Sequence, residues 1–180
     1  MPQAMNPLGL HLKKRASEAR RLTTSSGATI GIVDISKPGS AAVLRGIAEG
    51  LRAARCVTVD WPKSHSSRAH SRLKELAEQC DAVVLGVGDC GSCTSWTVRD
   101  AFDLEVAGIP SVIVVAHSFE YLAKVEATAL GLPELGIVVI DGRYDPIAIQ
   151  PEAALESLGA SLSSRIIHFM TDTVAPVATS

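Results

Sequence analysis

The chain contains no apolar run near the ~20 residues that a bilayer-spanning helix needs, and its N-terminus lacks the apolar core of a signal peptide. Charge of one sign is also missing: 17 Lys and Arg against 19 Asp and Glu leave a formal net charge of −2. Aromatic residues make up 4% of the chain, so there is little on which to stack bases. These absences argue against a membrane span, a secreted form and nucleic-acid binding. Cysteine is sparse too. Four in 180 residues are too few for a secreted disulfide scaffold, so cytoplasm is the expected compartment. No internal repeat is visible.

What is present suits one soluble domain with a core of useful size. Residues 1–27 are polar and read as a flexible basic arm, with cations at Lys13, Lys14, Arg15, Arg20 and Arg21. From residue 28 to residue 170 apolar β-rich runs alternate with helical patterns. Strands are expected at Ala28–Ile35, Arg55–Asp60, Asp81–Gly86, Ser111–Ala116 and Gly136–Ile140. Helices are expected near Ala41–Ala54, His70–Gln79, Thr94–Ala107, Glu120–Leu130 and Glu152–Met170, with Ser40 as the N-cap of the first. Residues 171–180 read as a tail. Near-continuous apolar strands joined by helices predict a mostly parallel five-stranded sheet in a three-layer α/β/α sandwich, of flavodoxin-like or related order.

The chemistry concentrates in Cys90-Gly91-Ser92-Cys93, between a strand end and a helix start. There, free helix N–H groups and the positive dipole end favour a thiolate on the first sulfur. The second thiol lies one turn on, within reach of a disulfide. Cys56 and Cys80 fall in or beside apolar strands and read as buried small hydrophobes. Gly86, Gly88 and Gly91 match the spacing of a dinucleotide fingerprint only nominally, since no acidic residue ends the next strand.

Parallel α/β sheets bind ligands beyond the carboxyl ends of their strands. That edge should carry Ser36 and Lys37, Lys63 and His65, Asp89 with the cysteines, His117, and Asp141 with Arg143. In the order 2-1-3-4-5, Lys37 and Cys90 would face each other across the switch point. Cys90, Cys93, His117 and Lys37 are therefore the catalytic candidates. Asp89, Gly91, Ser92, Thr94, Ser36 and Arg143 are the substrate-binding ones. Strand ends collect polar residues in any such fold, and Lys63 and Arg143 also suit an ordinary loop role. Asp89 opposes thiolate formation by its charge, so a helix cap or a proton carrier is the alternative for it.

The run Asp89-Cys90-Gly91-Ser92-Cys93-Thr94-Ser95-Trp96, continuing to Asp100 and Leu104-Glu105 with Gly108-Ile109-Pro110, resembles the UGSC-motif family. That family is named for a Sec-Gly-Ser-Cys or Cys-Gly-Ser-Cys motif. The resemblance extends over most of residues 28–170, including Asp34-Ile-Ser-Lys-Pro38. It implies a selenol or thiol nucleophile at the position of Cys90 and a second thiol at Cys93. A position that accepts selenium or sulfur attacks or is attacked, rather than filling a core or a structural zinc site.

Three functions compete. A thiol oxidoreductase would use Cys90 to attack a small oxidised substrate and Cys93 to resolve the adduct, with a thiol reductant reopening the disulfide. A lyase, hydratase or thiol transferase would use Cys90 as a covalent nucleophile without net redox change, His117 or Lys37 moving the proton. A metal or small-ligand module would add His117 to the two thiolates, but a structural zinc site wants four ligands. The first reading predicts an enzyme with no cofactor and no resident metal, working as a homo-oligomer or beside a related subunit.

Overall fold

Strand positions follow the β-branched runs, and their burial explains the composition. A computed structural model describes residues 18–62, 75–76 and 78–171. The strands are β1 (Thr29–Asp34), β2 (Val57–Pro62), β3 (Ala82–Gly88), β4 (Ser111–Val115) and β5 (Gly136–Val139). They form one sheet of order β2-β1-β3-β4-β5, and every pair is parallel. This is the flavodoxin-like order, whose switch point lies between β1 and β3. All residues of β3 and β4 are buried, as strands covered on both faces must be.

Helices α1 (Ser40–Ala53), α2 (Gly91–Val106), α3 (Glu120–Leu130) and α4 (Glu152–Met170) cover the sheet. One core lies between the sheet and the α1–α4 layer, around Ile30, Val84, Val112, Ile47 and Ile166. The other lies under α2 and α3, around Val83, Leu85, Ile113, Leu104 and Ala127. Leu76, inside the helix expected at 70–79, is buried in this second core. Most of that helix, with Lys63 and His65, lies outside the described residues.

α1 and α4 cross so closely that a Cβ at Gly46 would fall 1.9 Å from the Glu156 carbonyl oxygen, and one at Gly159 would fall 2.0 Å from that of Val43. Only glycine permits this approach. It draws α4 across the sheet, so the loop between β5 and α4 passes over the carboxyl edge toward the start of α1. Gly39 duly meets the Ile147 carbonyl there.

Two expectations change in detail. Ser40 does not cap α1. Gly39 occupies the cap position at φ 82° with no side-chain bond, and Ser40 is the first helical residue. The Ser40 hydroxyl turns into the sheet instead. It accepts the Val87 N–H at 3.0 Å and lies 2.8 Å from Asp34 Oδ1 and 3.2 Å from the Gly86 carbonyl, to either of which it donates. The Gly86–Val87 peptide beside it is cis. And α2 begins at Gly91, not Thr94, so the motif itself forms the helix's first turn.

Of the arm expected over 1–27, residues 1–17 lie outside the described residues. Beyond them, the Ala19 N–H and Arg21 guanidinium both donate to Glu105 near the end of α2, each at 2.7 Å. Leu22 bridges Thr171 in parallel. The remainder of the expected tail, 172–180, lies outside the described residues. Among the described residues no helix is long and apolar enough to cross a membrane.

Candidate active site at the β3–α2 turn

β3 ends at Gly88, and the chain doubles back into α2 within two residues. Gly88 makes this possible, since a Cβ there would lie 2.9 Å from Thr94 Oγ1 and 3.2 Å from its Cα. Cys90 then takes the N-cap position in an extended conformation. Its sulfur accepts the Cys93 N–H at 3.3 Å, in place of the oxygen of a usual cap. Ser92 Oγ stands 3.5 Å from the same sulfur. Thr94 closes the turn, its amide and hydroxyl both donating to the Cys90 carbonyl at 2.9 and 2.8 Å.

All four cysteines are free thiols; Cys90 and Cys93 are half-buried, Cys56 and Cys80 buried. The Cys90 and Cys93 sulfurs and one Asp89 carboxylate oxygen lie within 4.8 Å of one another. Burial pushes the Cys90 thiol up. Hydrogen bonds from the Cys93 side chain, Ser92 and the Cys93 amide, with the Lys37 charge, outweigh it and leave Cys90 lowered. Cys93 moves the other way. Burial and then the proximity of Cys90 raise it, and Lys37 only partly offsets them. The turn thus separates two chemically identical side chains into a thiolate-prone sulfur and a proton-holding one.

Lys37 comes from the β1–α1 loop, across the switch point. Its ammonium faces Cys93 first and Cys90 second, and both raise its own pKa. Ser36 beside it adopts φ 60° and donates its N–H to Asp34 Oδ1 at 2.8 Å, so it shapes the loop that presents Lys37. Burial raises the Asp89 carboxyl; Lys37 and the residue's own amide pull it back, and Asp145 pushes it further up.

The other sequence candidates divide. Gly91 and Ser92 are exposed on the first turn, and nothing lies within 4 Å of a Cβ placed at Gly91. Thr94 is fully buried, its hydroxyl committed to the Cys90 carbonyl, so it holds the turn instead of meeting a substrate. His117 lies beyond β4, 63% exposed, with Nδ1 4.0 Å from Glu120, and packs beside Gly142. Among the described residues, Asp89, not His117, is the third potential metal donor near the sulfurs. Arg143 pairs with Asp141 at 2.8 Å and lies over the Tyr144 ring, turned to its own loop.

Asp145 is a residue that sequence reasoning missed. Its carboxylate accepts from both the Ser118 amide and hydroxyl, and its charge reaches Asp89. The only signal for it was a place in the loop after β5.

A family model described as the UGSC family matches residues 3–172. No curated protein matches the chain. Among solved structures, a diflavin flavoprotein A3 from Nostoc sp. is similar over 80% of this chain and 96% of that one, at 14% identity and a TM-score of 0.44.

Proposed function

The chain belongs to the UGSC family, and from that premise we propose that it is a thiol oxidoreductase in which Cys90 attacks and Cys93 resolves. One observation carries the reading. The Cys90 sulfur sits on a free amide at the start of α2, and a second thiol stands within 4.8 Å of it. In the cycle, the Cys90 thiolate attacks a small oxidised substrate such as a disulfide, forming a mixed disulfide and releasing one thiolate. Cys93 then attacks the Cys90 sulfur, releasing the second, and an external thiol reductant reopens the Cys90–Cys93 bond. Lys37 supports the resolving step by stabilising negative charge on Cys93.

Mild oxidation followed by thiol counting and peptide mass spectrometry tests this. Two thiols are expected to disappear, joined as Cys90–Cys93, while Cys56 and Cys80 stay reduced behind their burial. A protein that keeps four thiols, or that links Cys90 between chains, contradicts the cycle.

A further inference from the structure

Resolution by Cys93 requires its proton to go somewhere. Lys37 is already an ammonium facing that sulfur, so it cannot accept one. His117 is turned toward Glu120 and Gly142. Asp89 is different. One of its oxygens lies within 4.8 Å of both sulfurs, and its Oδ1 is buried with no hydrogen-bond partner among the described residues. A buried carboxylate oxygen without a partner is costly while charged, and a proton removes that cost.

We propose that Asp89 is the acid–base residue of the dithiol cycle, taking the Cys93 proton as that sulfur attacks the Cys90 adduct and passing it to the departing thiolate. The proposal rests on the cycle above. The step balances. The mixed disulfide at Cys90, the Cys93 thiol and the Asp89 carboxylate become the Cys90–Cys93 disulfide, a substrate thiolate and the Asp89 carboxylic acid. The acid then protonates the thiolate. Two electrons pass from the cysteine pair to the substrate disulfide over the whole cycle.

Among the described residues, the groups facing Asp89 come from three places. They are Lys37 of the β1–α1 loop, Cys90 and Cys93 at the start of α2, and Asp145 of the β5–α4 loop. Burial and Asp145 prevail over Lys37 and the residue's own amide, so the carboxyl is raised from its ordinary value. That makes it a stronger base when ionised, better matched to a thiol than an ordinary aspartate. Asp89 thus acts on the proton of Cys93 during turnover, while the Cys90 thiolate is set by Cys93, Ser92, the helix-end amide and Lys37.

Stopped-flow mixing of the reduced protein with one equivalent of dithiobis-nitrobenzoate separates the two steps, since each releases one coloured thiolate. In Asp89→Asn the first release should stay within about threefold of the parent. The second should slow by roughly 10²-fold at neutral pH, the scale of one lost general base. The gap should close as pH rises, because Cys93 then ionises without help. Added formate should speed the second release in Asp89→Gly. An unchanged second release overturns the proposal. So does a slowing equal at every pH, which a merely structural carboxylate would give. If the parent protein releases one thiolate and forms no internal disulfide, the dithiol cycle fails, and the role of Asp89 with it.

Discussion

Cys93→Ser is expected to react once and stop. Its Cys90 still attacks a disulfide substrate, and mass spectrometry should find the adduct on Cys90 and nowhere else. Turnover with a thiol reductant should fall at least roughly 10³-fold at millimolar reductant, because thiol from solution replaces a neighbour of high effective molarity. Cys90→Ser should form no adduct at all. The asymmetry comes from the turn. Only Cys90 accepts the helix-end amide, and Cys93 lies deeper and holds its proton. If Cys93→Ser keeps most of its turnover, the single-thiol reading replaces the redox one, and Cys90 serves as a covalent nucleophile in a lyase- or transferase-type reaction.

Glu105→Ala should be the most damaging substitution away from the sulfurs. The Glu105 side chain is wholly buried and paired with Arg21. It accepts from the Ala19 amide, the Arg21 guanidinium and the Ser111 amide, each at 2.7 Å. Removing it leaves Arg21 with only its 3.9 Å pairing to Glu18 and strands two amide donors, at a cost of about 3–5 kcal/mol for breaking a buried pair. For a chain of this length each kcal/mol lowers the melting temperature by about 2–4 °C, so a drop of roughly 10 °C is expected in a thermal melt. The cysteines sit at the other end of α2, about 20 Å away at 1.5 Å per residue. Cys90 labelling well below the melting point should therefore be unchanged. A shift under about 3 °C would show that the segment at residues 18–22 is not tied to the domain through Glu105.

The sheet was legible because a parallel strand buried on both faces has to be apolar throughout. Ala82–Gly88 and Ser111–Val115 are such runs. Given that sheet, the topological rule alone sets Lys37 opposite Cys90. The missed or misread residues owe their roles to contacts distant in sequence. Ser40 looked like a helix cap, yet its hydroxyl is drawn to the Val87 amide 47 residues away. Glu105 entered the sequence reading only as part of the motif run; its buried role depends on Ala19 and Arg21, more than 80 residues earlier, which cover it. Asp145 reaches the site because glycines let α4 lie close on α1 and so carry its preceding loop across the sheet edge. His117 and Arg143 stand at strand ends as expected, but local carboxylates, Glu120 and Asp141, claim them.

The central claim is that one sulfur of the pair is set apart as the nucleophile. Iodoacetamide labelling across pH, read for each cysteine by mass spectrometry, tests it most directly, because only the thiolate alkylates. Cys90 should label with a midpoint below that of an ordinary free cysteine, where the helix-end amide, Ser92, Cys93 and Lys37 hold it. Cys93 should label above the ordinary value, as should Cys56 and Cys80, each raised chiefly by burial. Slow labelling of all four cysteines at one common midpoint, or Cys93 reacting ahead of Cys90, would contradict the assignment.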